Sequence, residues 1–585
     1  MTQARTGMVL VLILIGFIGS WVALQLGALL GGTAAPSQYP LAGLLEVLLG
    51  RRESGPVTWT LLALTALACL IVYIKWPTVA QGADKFKVKY KDVEKSLGHD
   101  AALRAARETL LNTLPPSSSD PVQARKDAQC FIDRMPETYL IYSMGTLTGA
   151  KIYGEAKESK LILAPTQAGK TATLATNFVL DAPGAVIATS TKADLLMITA
   201  VARSLMGKVY AFDLDDISGW NWKVKWNPVI GCENLEIALR RGQAWAGAKP
   251  MGNVKGGDWF SSKAAAVLGR LMHVAAISNR DMRDVIKWSN NLRSSEPIDL
   301  LRASNNAAPG VIGYLEAMKE SRAGETVDSI QQTLSDLLES LSPERILNQL
   351  ICSPEESFDI RDFLKGANTI YLISDTATGI DTGPLVSMFA NEVVNEARDY
   401  SQTQFGGRLW PAFRGVLDEA PNLAAFPKMD AIVSDINGRG VEVIIIAQAE
   451  SQLEDRWGKE AARTIKGNSV VKYYLPGLDI ETMKPVAEAM GKYDKSKVTT
   501  STGSRGHRGT RSYTTERRNV AEAYELTQLP RFTAMVQYKN FKPMHLKLTP
   551  WWEREDADQI KEGWIQAHKL CGKSVQPFDE PGGAS

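Results

Sequence analysis

The clearest chemical signature in the chain is one segment, Ala164-Pro165-Thr166-Gln167-Ala168-Gly169-Lys170-Thr171. The apolar run 161–163 precedes it and the helical stretch 172–180 follows it. Backbone N–H groups of such a loop, together with a helix N-terminus, cradle phosphate groups. Gly169 lets the backbone approach a phosphate without a Cβ clash. The segment departs from the GxxxxGK[ST] pattern at Ala164, where Gly is usual, and it predicts a phosphate-binding loop.

The side chains of this loop indicate a nucleoside triphosphate bound with Mg²⁺. Lys170 would neutralise the β- and γ-phosphates, and the Thr171 hydroxyl would coordinate the metal. Either ATP or GTP satisfies this pattern. The predicted nucleotide-binding residues are Pro165, Thr166, Gln167, Ala168, Gly169, Lys170 and Thr171.

A second segment, 414–419, reads as a strand that ends in two carboxylates. We expect Asp418 to join Thr171 in holding Mg²⁺ and Glu419 to act as the general base that activates a water. A solvated acidic turn is the alternative. The run 441–447 ends at Gln448, which could sense the γ-phosphate or simply cap its strand. Open α/β sheets bind ligands at the carboxyl ends of their strands, where all these residues are expected.

Short apolar runs alternate with helical stretches through the body of the chain. This pattern is typical of a parallel sheet buried on both faces, and therefore of an α/β fold. The runs are 161–163, 185–188, 209–212, 369–373, 415–417, 441–447 and 470–475. Residues 235–350 show helical periodicity instead, with amphipathic helices over 260–276 and 326–341, and they predict an all-α insertion.

Composition sets limits on the function. The chain has 585 residues, and its 66 Lys and Arg nearly balance its 64 Asp and Glu, for a net charge of +2. That balance excludes a histone-like polycation but allows a local basic patch. The Arg-rich stretch 499–518 is either a flexible solvated loop or a surface that faces nucleic acid. Five scattered Cys provide neither zinc-ligand spacing nor a disulfide framework.

Two apolar runs near the N-terminus, 8–30 and 58–76, predict a two-helix transmembrane anchor over residues 1–76. A cleaved signal peptide is the alternative for the first run. Lysines from Lys75 to Lys95 place the remainder in the cytoplasm, although Arg51 and Arg52 in the expected external loop, 31–57, argue weakly against this. We expect a juxtamembrane linker over 77–150 and a polar tail over 551–585, disordered from Glu553.

Several stretches, in one order, resemble the conjugative type IV secretion coupling proteins, the TraG/TraD group of membrane-anchored, FtsK-like ATPases. The most diagnostic is 417–423, Leu-Asp-Glu-Ala-Pro-Asn-Leu, which is similar to the family's Leu-Asp-Glu-Phe-x-Asn-Leu. The other similar stretches are the loop 164–171, residues 189–195, Trp226-Asn227-Pro228, Gly438-Arg439-Gly440, Gln448, Ser451-Gln452-Leu453 and Trp457-Gly458.

This resemblance implies a RecA-like P-loop ATPase motor over 151–234 and 351–550, interrupted by the insertion 235–350. It also implies a homo-hexameric ring at the inner membrane that uses ATP and Mg²⁺ to drive DNA through its pore. The expected partners are DNA, relaxase and relaxosome proteins, channel components of the secretion system and inner-membrane lipids. Arg439 resembles an arginine that reaches a neighbour's γ-phosphate, and an ordinary surface or intra-subunit arginine is the alternative.

Two other functions compete with this interpretation. A chromosome-segregation or cell-division DNA pump of the FtsK type would favour more membrane spans and a winged-helix tail, neither of which is visible in the sequence. A membrane-tethered ATP-binding scaffold that recruits substrates would hydrolyse nothing. The presence of Lys170 and Glu419 argues against the scaffold, since it has no need of an acid that activates water.

Overall fold

The computed structural model describes residues 2–31, 46–47, 49, 55–75, 87–249, 257–375, 381–500 and 511–574. Its strands are β1 Ile141–Leu147, β2 Ala150–Glu155, β3 Lys160–Leu163, β4 Val186–Ser190, β5 Val209–Asp213, β6 Thr369–Ile373, β7 Phe413–Leu417, β8 Val441–Ala447, β9 Val471–Tyr474, β10 Lys492–Thr500, β11 Arg511–Asn519, β12 Thr533–Tyr538 and β13 Met544–Lys547. The chain divides into two compact units, Met1–Lys87 with Lys492–Val520, and Val88–Gly491 with Ala521–Ser585.

In the described part of the chain, helices occur before, between and after the strands. In chain order they are α1 Thr2–Gly31, α2 Pro56–Lys75, α3 Tyr90–Leu97, α4 His99–Thr113, α5 Pro121–Asp133, α6 Thr176–Leu180, α7 Asp194–Ser204, α8 Leu235–Ala248, α9 Gly257–Ile277, α10 Met282–Ser289, α11 Glu296–Ala303, α12 Val311–Lys319, α13 Gly324–Leu338, α14 Glu344–Leu350, α15 Ile360–Phe363, α16 Gly383–Gln402, α17 Ala420–Leu423, α18 Met429–Asp435, α19 Glu450–Trp457, α20 Lys459–Asn468, α21 Ile480–Ala489, α22 Ala523–Thr527 and α23 Ala557–Leu570.

An 11-stranded sheet forms the core of the larger unit, in the order β2-β1-β13-β12-β9-β3-β8-β7-β4-β6-β5. The strands from β9 to β5 pair in parallel, and they correspond to the apolar runs that predicted a parallel sheet. Every residue of β3, β4, β6, β7 and β8 is buried, as expected for strands covered on both faces. The predicted α/β class with a parallel-rich sheet is confirmed.

The other four strands extend this sheet in an antiparallel arrangement that the sequence pattern did not predict. β12 pairs with β9, β13 with β12, β1 with β13 and β2 with β1. Their side chains alternate between buried and exposed positions in places, as along β13. Antiparallel strands of this kind lack the continuous apolar runs by which the central strands were found.

Between β5 and β6 the described chain is mainly helical from Leu235 onward. In the described part of 235–350 the regular elements are α8 to α14 and one 3-10 turn, Glu339–Leu341. The expected helices 260–276 and 326–341 correspond to α9 and to α13 with that turn. α8 packs on both α9 and α16, so it joins the helical region to the sheet. The boundaries of the insertion stay a prediction.

The expectation of a disordered tail from Glu553 is wrong for residues 557–570, which form α23. This helix packs on α7, and its Ile560 and Ala567 are buried. Gly563 permits a close approach, since a Cβ built there would lie 3.1 Å from Val201 Cβ. An apolar stripe along an otherwise polar helix explains why composition alone missed it. Residues 575–585 lie outside the described residues.

The smaller unit contains α1, α2 and the antiparallel pair β10–β11. α1 and α2 pack against each other. Within the described residues, no helix combines the length and the apolar character needed to cross a bilayer. The two-span anchor therefore stays a prediction. Most of the expected external loop, 31–57, lies outside the described residues, as does Lys85 after the second run. In the Arg-rich stretch 499–518, the described residues are 499–500 and 511–518. They belong to β10 and β11, which pair with each other, and so they do not form a loop.

Candidate nucleotide-binding site

The loop between β3 and the following helix has the backbone conformation of a phosphate cradle. Its Ala164 N–H donates to Ala447 O at 2.9 Å, which fixes the loop to the end of β8. Gln167 and Gly169 have φ values of 64° and 89°, in the left-handed region. A Cβ at Gly169 would also lie 3.0 Å from the ring of Phe532. Only glycine satisfies both constraints, which explains the residue at this position.

The expected helix 172–180 begins as a π-helical turn, Thr171–Ala175, and continues as α6. Thr173 Oγ1 donates to Gly169 O at 2.9 Å, and Asn177 Nδ2 donates to both Thr173 O and Thr549 O. These bonds hold the start of the helix against the loop and against the segment after β13. Thr171 lies at this start, half-buried, next to Lys170.

Lys170 contacts both acidic residues of the second motif. Its Nζ lies 2.7 Å from Asp418 Oδ1 and 3.8 Å from Glu419 Oε1. The Lys170 and Asp418 side chains are only 12% and 9% exposed, so solvent screens this attraction weakly. β4 contributes as well, because Thr189 Oγ1 donates to the Asp418 carbonyl at 2.7 Å. The alternative of a solvated acidic turn does not hold, because the Asp418 and Glu419 side chains are only 9% and 21% exposed.

Glu419 has a left-handed backbone, with φ 52° and ψ 43°. Its N–H donates to Asp418 Oδ1 at 3.0 Å, and its Oε1 accepts from Gln448 Nε2 at 3.4 Å. A non-glycine residue with positive φ is uncommon, and such strain concentrates at functional sites. The turn aims the Glu419 carboxylate back toward Gln448 and Lys170.

Gln448 connects the two motifs. Thr166 Oγ1 donates to Gln448 Oε1 at 3.4 Å, while the amide of Gln448 contacts Glu419. The Gln448 N–H donates to Gln452 Oε1 at 2.9 Å, which anchors the residue to α19. The strands explain this convergence, since β3, β8, β7 and β4 are consecutive parallel neighbours whose carboxyl ends meet at one edge.

The structure does not bring Arg439 together with the other predicted site residues of the same chain. Arg439 precedes β8, whereas the site follows it, and seven strand residues span about 20 Å. Its Nη2 lies 2.9 Å from Asp435 Oδ1. Its Nε is buried and has no hydrogen-bond partner among the described residues. Arg439 therefore lies at the opposite edge of the sheet.

Phe532 lies beside the candidate site, and sequence reasoning missed it. It lies more than 360 residues after the loop that it contacts, and no motif marks it. Thr189 was part of a recognised stretch, but only the pairing of β4 with β7 shows that it holds Asp418.

A protein-family model described as type IV secretory system conjugative DNA transfer matches residues 136–572. The match covers well over half of the chain. The chain belongs to this family. The resemblance of its motifs to the conjugative coupling proteins is thereby confirmed, and this conjugative DNA transfer protein carries its two nucleotide-site motifs inside the matched residues.

Solved structures of TrwB share the fold of this conjugative DNA transfer protein. The unbound coupling protein TrwBdeltaN70 matches with a TM-score of 0.51 and 16% identity, over 67% of this chain and 85% of that one. TrwB with the non-hydrolysable ATP analogue ADPNP matches with 0.51 and 16%, over 67% and 86%. TrwB with ADP and Mg²⁺ gives 0.51 and 16%, over 67% and 85%. No curated protein matches the sequence.

Proposed function

We propose that this coupling protein binds ATP with Mg²⁺ and hydrolyses it to drive DNA into a type IV secretion channel. The observation that carries the proposal is the convergence of Lys170, Asp418, Glu419 and Gln448 at one edge of the sheet, beside a left-handed loop. TrwB, which shares the fold, has been solved with an ATP analogue and with ADP and Mg²⁺. Its ligands support ATP and Mg²⁺ as those of this site.

The residues present fit a nucleotide bound with a metal. The loop provides backbone N–H groups and Lys170, and the Thr171 hydroxyl and Asp418 would hold Mg²⁺. In the described residues no group of three His, Cys, Asp or Glu side chains could hold a metal by itself. Such a sparse donor set is typical of Mg²⁺ sites in which substrate phosphates supply ligands. Mg²⁺ would contribute neutralisation of phosphate charge.

Glu419 is the residue that we assign to water activation. Its carboxylate is 21% exposed, so a water molecule can reach it. Gln448 and the Asp418 carboxylate restrain its side chain and backbone. A base held at this position can orient and deprotonate an attacking water.

The position of Arg439 supports assembly. Because this residue lies about 20 Å from its own site, at the far end of β8, it can act on a phosphate only in another subunit. We therefore propose a homo-hexamer in which Arg439 completes the neighbour's site. The DNA would pass through the ring pore.

The remaining parts of the proposal concern partners and location. The helical insertion would contact relaxase and relaxosome proteins, and the secretion channel would receive the DNA. α1 and α2 would anchor the protein in the inner membrane, in contact with its lipids, with most of the chain in the cytoplasm. The family match supports a role in conjugative DNA transfer as a whole.

The proposal is tested with the full-length protein in detergent. We expect phosphate release from ATP that is stimulated by DNA, and its loss in Lys170→Ala, because the phosphates lose their main cation. Lys365→Ala is the matched control, since Lys365 is exposed and forms its ion pair with the nearby Asp362. Undiminished turnover in Lys170→Ala, with normal folding, would refute the assigned site.

A further inference from the structure

The side chain of Phe532 lies directly against the phosphate-binding loop. A Cβ built on Gly169 would approach Cδ1 and Cε1 of the Phe532 ring at 3.0 Å. The ring is only half-buried, so part of it faces solvent beside the loop. Phe532 immediately precedes β12, whose start lies beside the carboxyl end of β9. The ring therefore lies at the same edge of the sheet as the nucleotide site.

The backbone of Phe532 is held in an unfavourable conformation. Its φ is 60°, which is an outlier for a bulky residue. The Leu548 N–H donates to the Phe532 carbonyl at 2.8 Å, and Trp552 packs edge-on against the ring at 5.6 Å between centroids. Neighbouring structure thus fixes a strained residue in place. Strain of this kind, maintained by its surroundings, is a feature of ligand sites.

The order of the strands indicates which end of a nucleotide reaches Phe532. Asp418, Glu419 and Gln448 follow β7 and β8, which lie on one side of β3. Phe532 leads into β12, which lies on the other side of β3, beyond β9. If hydrolysis occurs near Glu419, the γ-phosphate points toward β8. The base, at the opposite end of the nucleotide, then points toward β9 and β12.

Arg531 adds a second planar group at this position. Its side chain is exposed, and the guanidinium carbon lies 4.9 Å from the centroid of the Phe532 ring. Nucleobases stack on aromatic rings and on arginine planes because both present flat, polarisable faces. Stacking tolerates every base, since each has a π-face, so this pair would contribute affinity more than it would read base identity.

We propose that Phe532, with Arg531, forms the base-stacking platform of the nucleotide site and takes the purine ring of ATP. This inference rests on the proposed function, since it assigns the base end of the same nucleotide. In this arrangement Phe532 contacts the base, and the phosphate-binding loop contacts the phosphates.

Two ligands separate base binding from phosphate binding. ATP carries a base, and inorganic tripolyphosphate carries only the phosphates, so their dissociation constants with Mg²⁺ are compared on the full-length protein. We expect Phe532→Ala to raise the Kd of ATP about 5- to 150-fold, the range of one base–aromatic stack. The Kd of tripolyphosphate should not change. Phe532→Trp should retain the affinity for ATP, because it keeps an aromatic face.

Two controls complete the experiment. Phe405→Ala removes a half-exposed aromatic ring that precedes β7, on the side of the sheet opposite the site, and should change neither Kd. If Phe532→Ala does not fold, Phe532→Leu keeps the apolar bulk without the aromatic face and should show the same selective loss for ATP.

An equal loss of affinity for ATP and for tripolyphosphate in these variants would overturn the proposal, because Phe532 would then only position the phosphate-binding loop. An unchanged Kd of ATP would overturn it as well. Failure of the wild-type protein to bind either ligand would instead refute the nucleotide site itself.

Discussion

Replacing Glu442 by Gln tests how the sheet beneath the nucleotide site accommodates buried charge. Lys160, Arg414 and Glu442 lie on β3, β7 and β8, which are neighbours in the sheet. Their side chains are 0%, 1% and 1% exposed. Glu442 Oε1 pairs with Lys160 Nζ, and Oε2 accepts from Arg414 Nε at 2.6 Å. One carboxylate is therefore shared by two buried cations on the strands that carry the site.

We expect Glu442→Gln to lower the free energy of unfolding by about 3–5 kcal/mol at neutral pH, the cost of leaving a buried charge without its partner. The pKa of Lys160 is already lowered, chiefly by burial, while Glu442 opposes that effect. Losing Glu442 lowers this pKa further. At pH values between the pKa of Lys160 in the folded protein and its pKa in the unfolded chain, the unfolded chain binds more protons. The free energy of unfolding therefore rises with pH in this range. The deficit should therefore shrink as pH increases toward about 10.

The assay is guanidinium denaturation of the full-length protein, followed by the fluorescence of buried tryptophans such as Trp551. Glu481→Gln is the matched control, because Glu481 is 80% exposed and pairs with the exposed Lys484. It should show no measurable change. A loss below about 1 kcal/mol in Glu442→Gln, or a deficit that does not vary with pH, would refute the reasoning.

Three further predictions concern the site and its connections. Gly169→Ala should lower ATP affinity at least about tenfold in equilibrium binding, while the protein stays folded. The reason is that Gly169 has a φ of 89° and that a new Cβ there would contact Phe532. Unchanged affinity would contradict the proposed geometry of the phosphate-binding loop. Arg439→Ala should bind ATP normally but lose turnover by about 10³-fold or more. Mixing this variant with Glu419→Gln should restore phosphate release, because some interfaces then combine an intact Glu419 from one subunit with an intact Arg439 from the other. No restoration would exclude action between subunits. Glu392 of α16 pairs with two arginines of α8, Arg240 and Arg241. Glu392→Gln removes this carboxylate, so hydrogen exchange of the α8 amides should accelerate. Unchanged protection of these amides would show that apolar packing alone holds α8 against α16.

The central sheet was predictable because its strands are buried on both faces. Runs such as 441–447 are almost entirely apolar, and this continuity distinguishes them from surface strands. Convergence of the loop with Asp418, Glu419 and Gln448 followed from the same sheet, since parallel strands present their carboxyl ends at one edge. The family motifs then predicted the chemistry at that edge.

Other features depend on tertiary contacts that no local pattern records. β13 is four residues long and alternates between buried and exposed side chains, so it is indistinguishable from a loop in sequence. Phe532 contacts Gly169 only because β12 pairs with β9. The motif around Arg439 suggested an arginine that reaches a neighbour's γ-phosphate, and only the direction of β8 shows that this residue lies at the other edge of its own sheet.

Hydrolysis at the assigned site is tested most directly by phosphate release from full-length Glu419→Gln at saturating ATP, measured with and without DNA and together with the Kd of ATP. We predict DNA-stimulated turnover in the wild-type protein. In the variant we predict loss of turnover with ATP affinity retained, because Lys170 and the loop still hold the phosphates. Turnover at the wild-type rate in Glu419→Gln would contradict the assigned base and the hydrolytic mechanism proposed for this coupling protein.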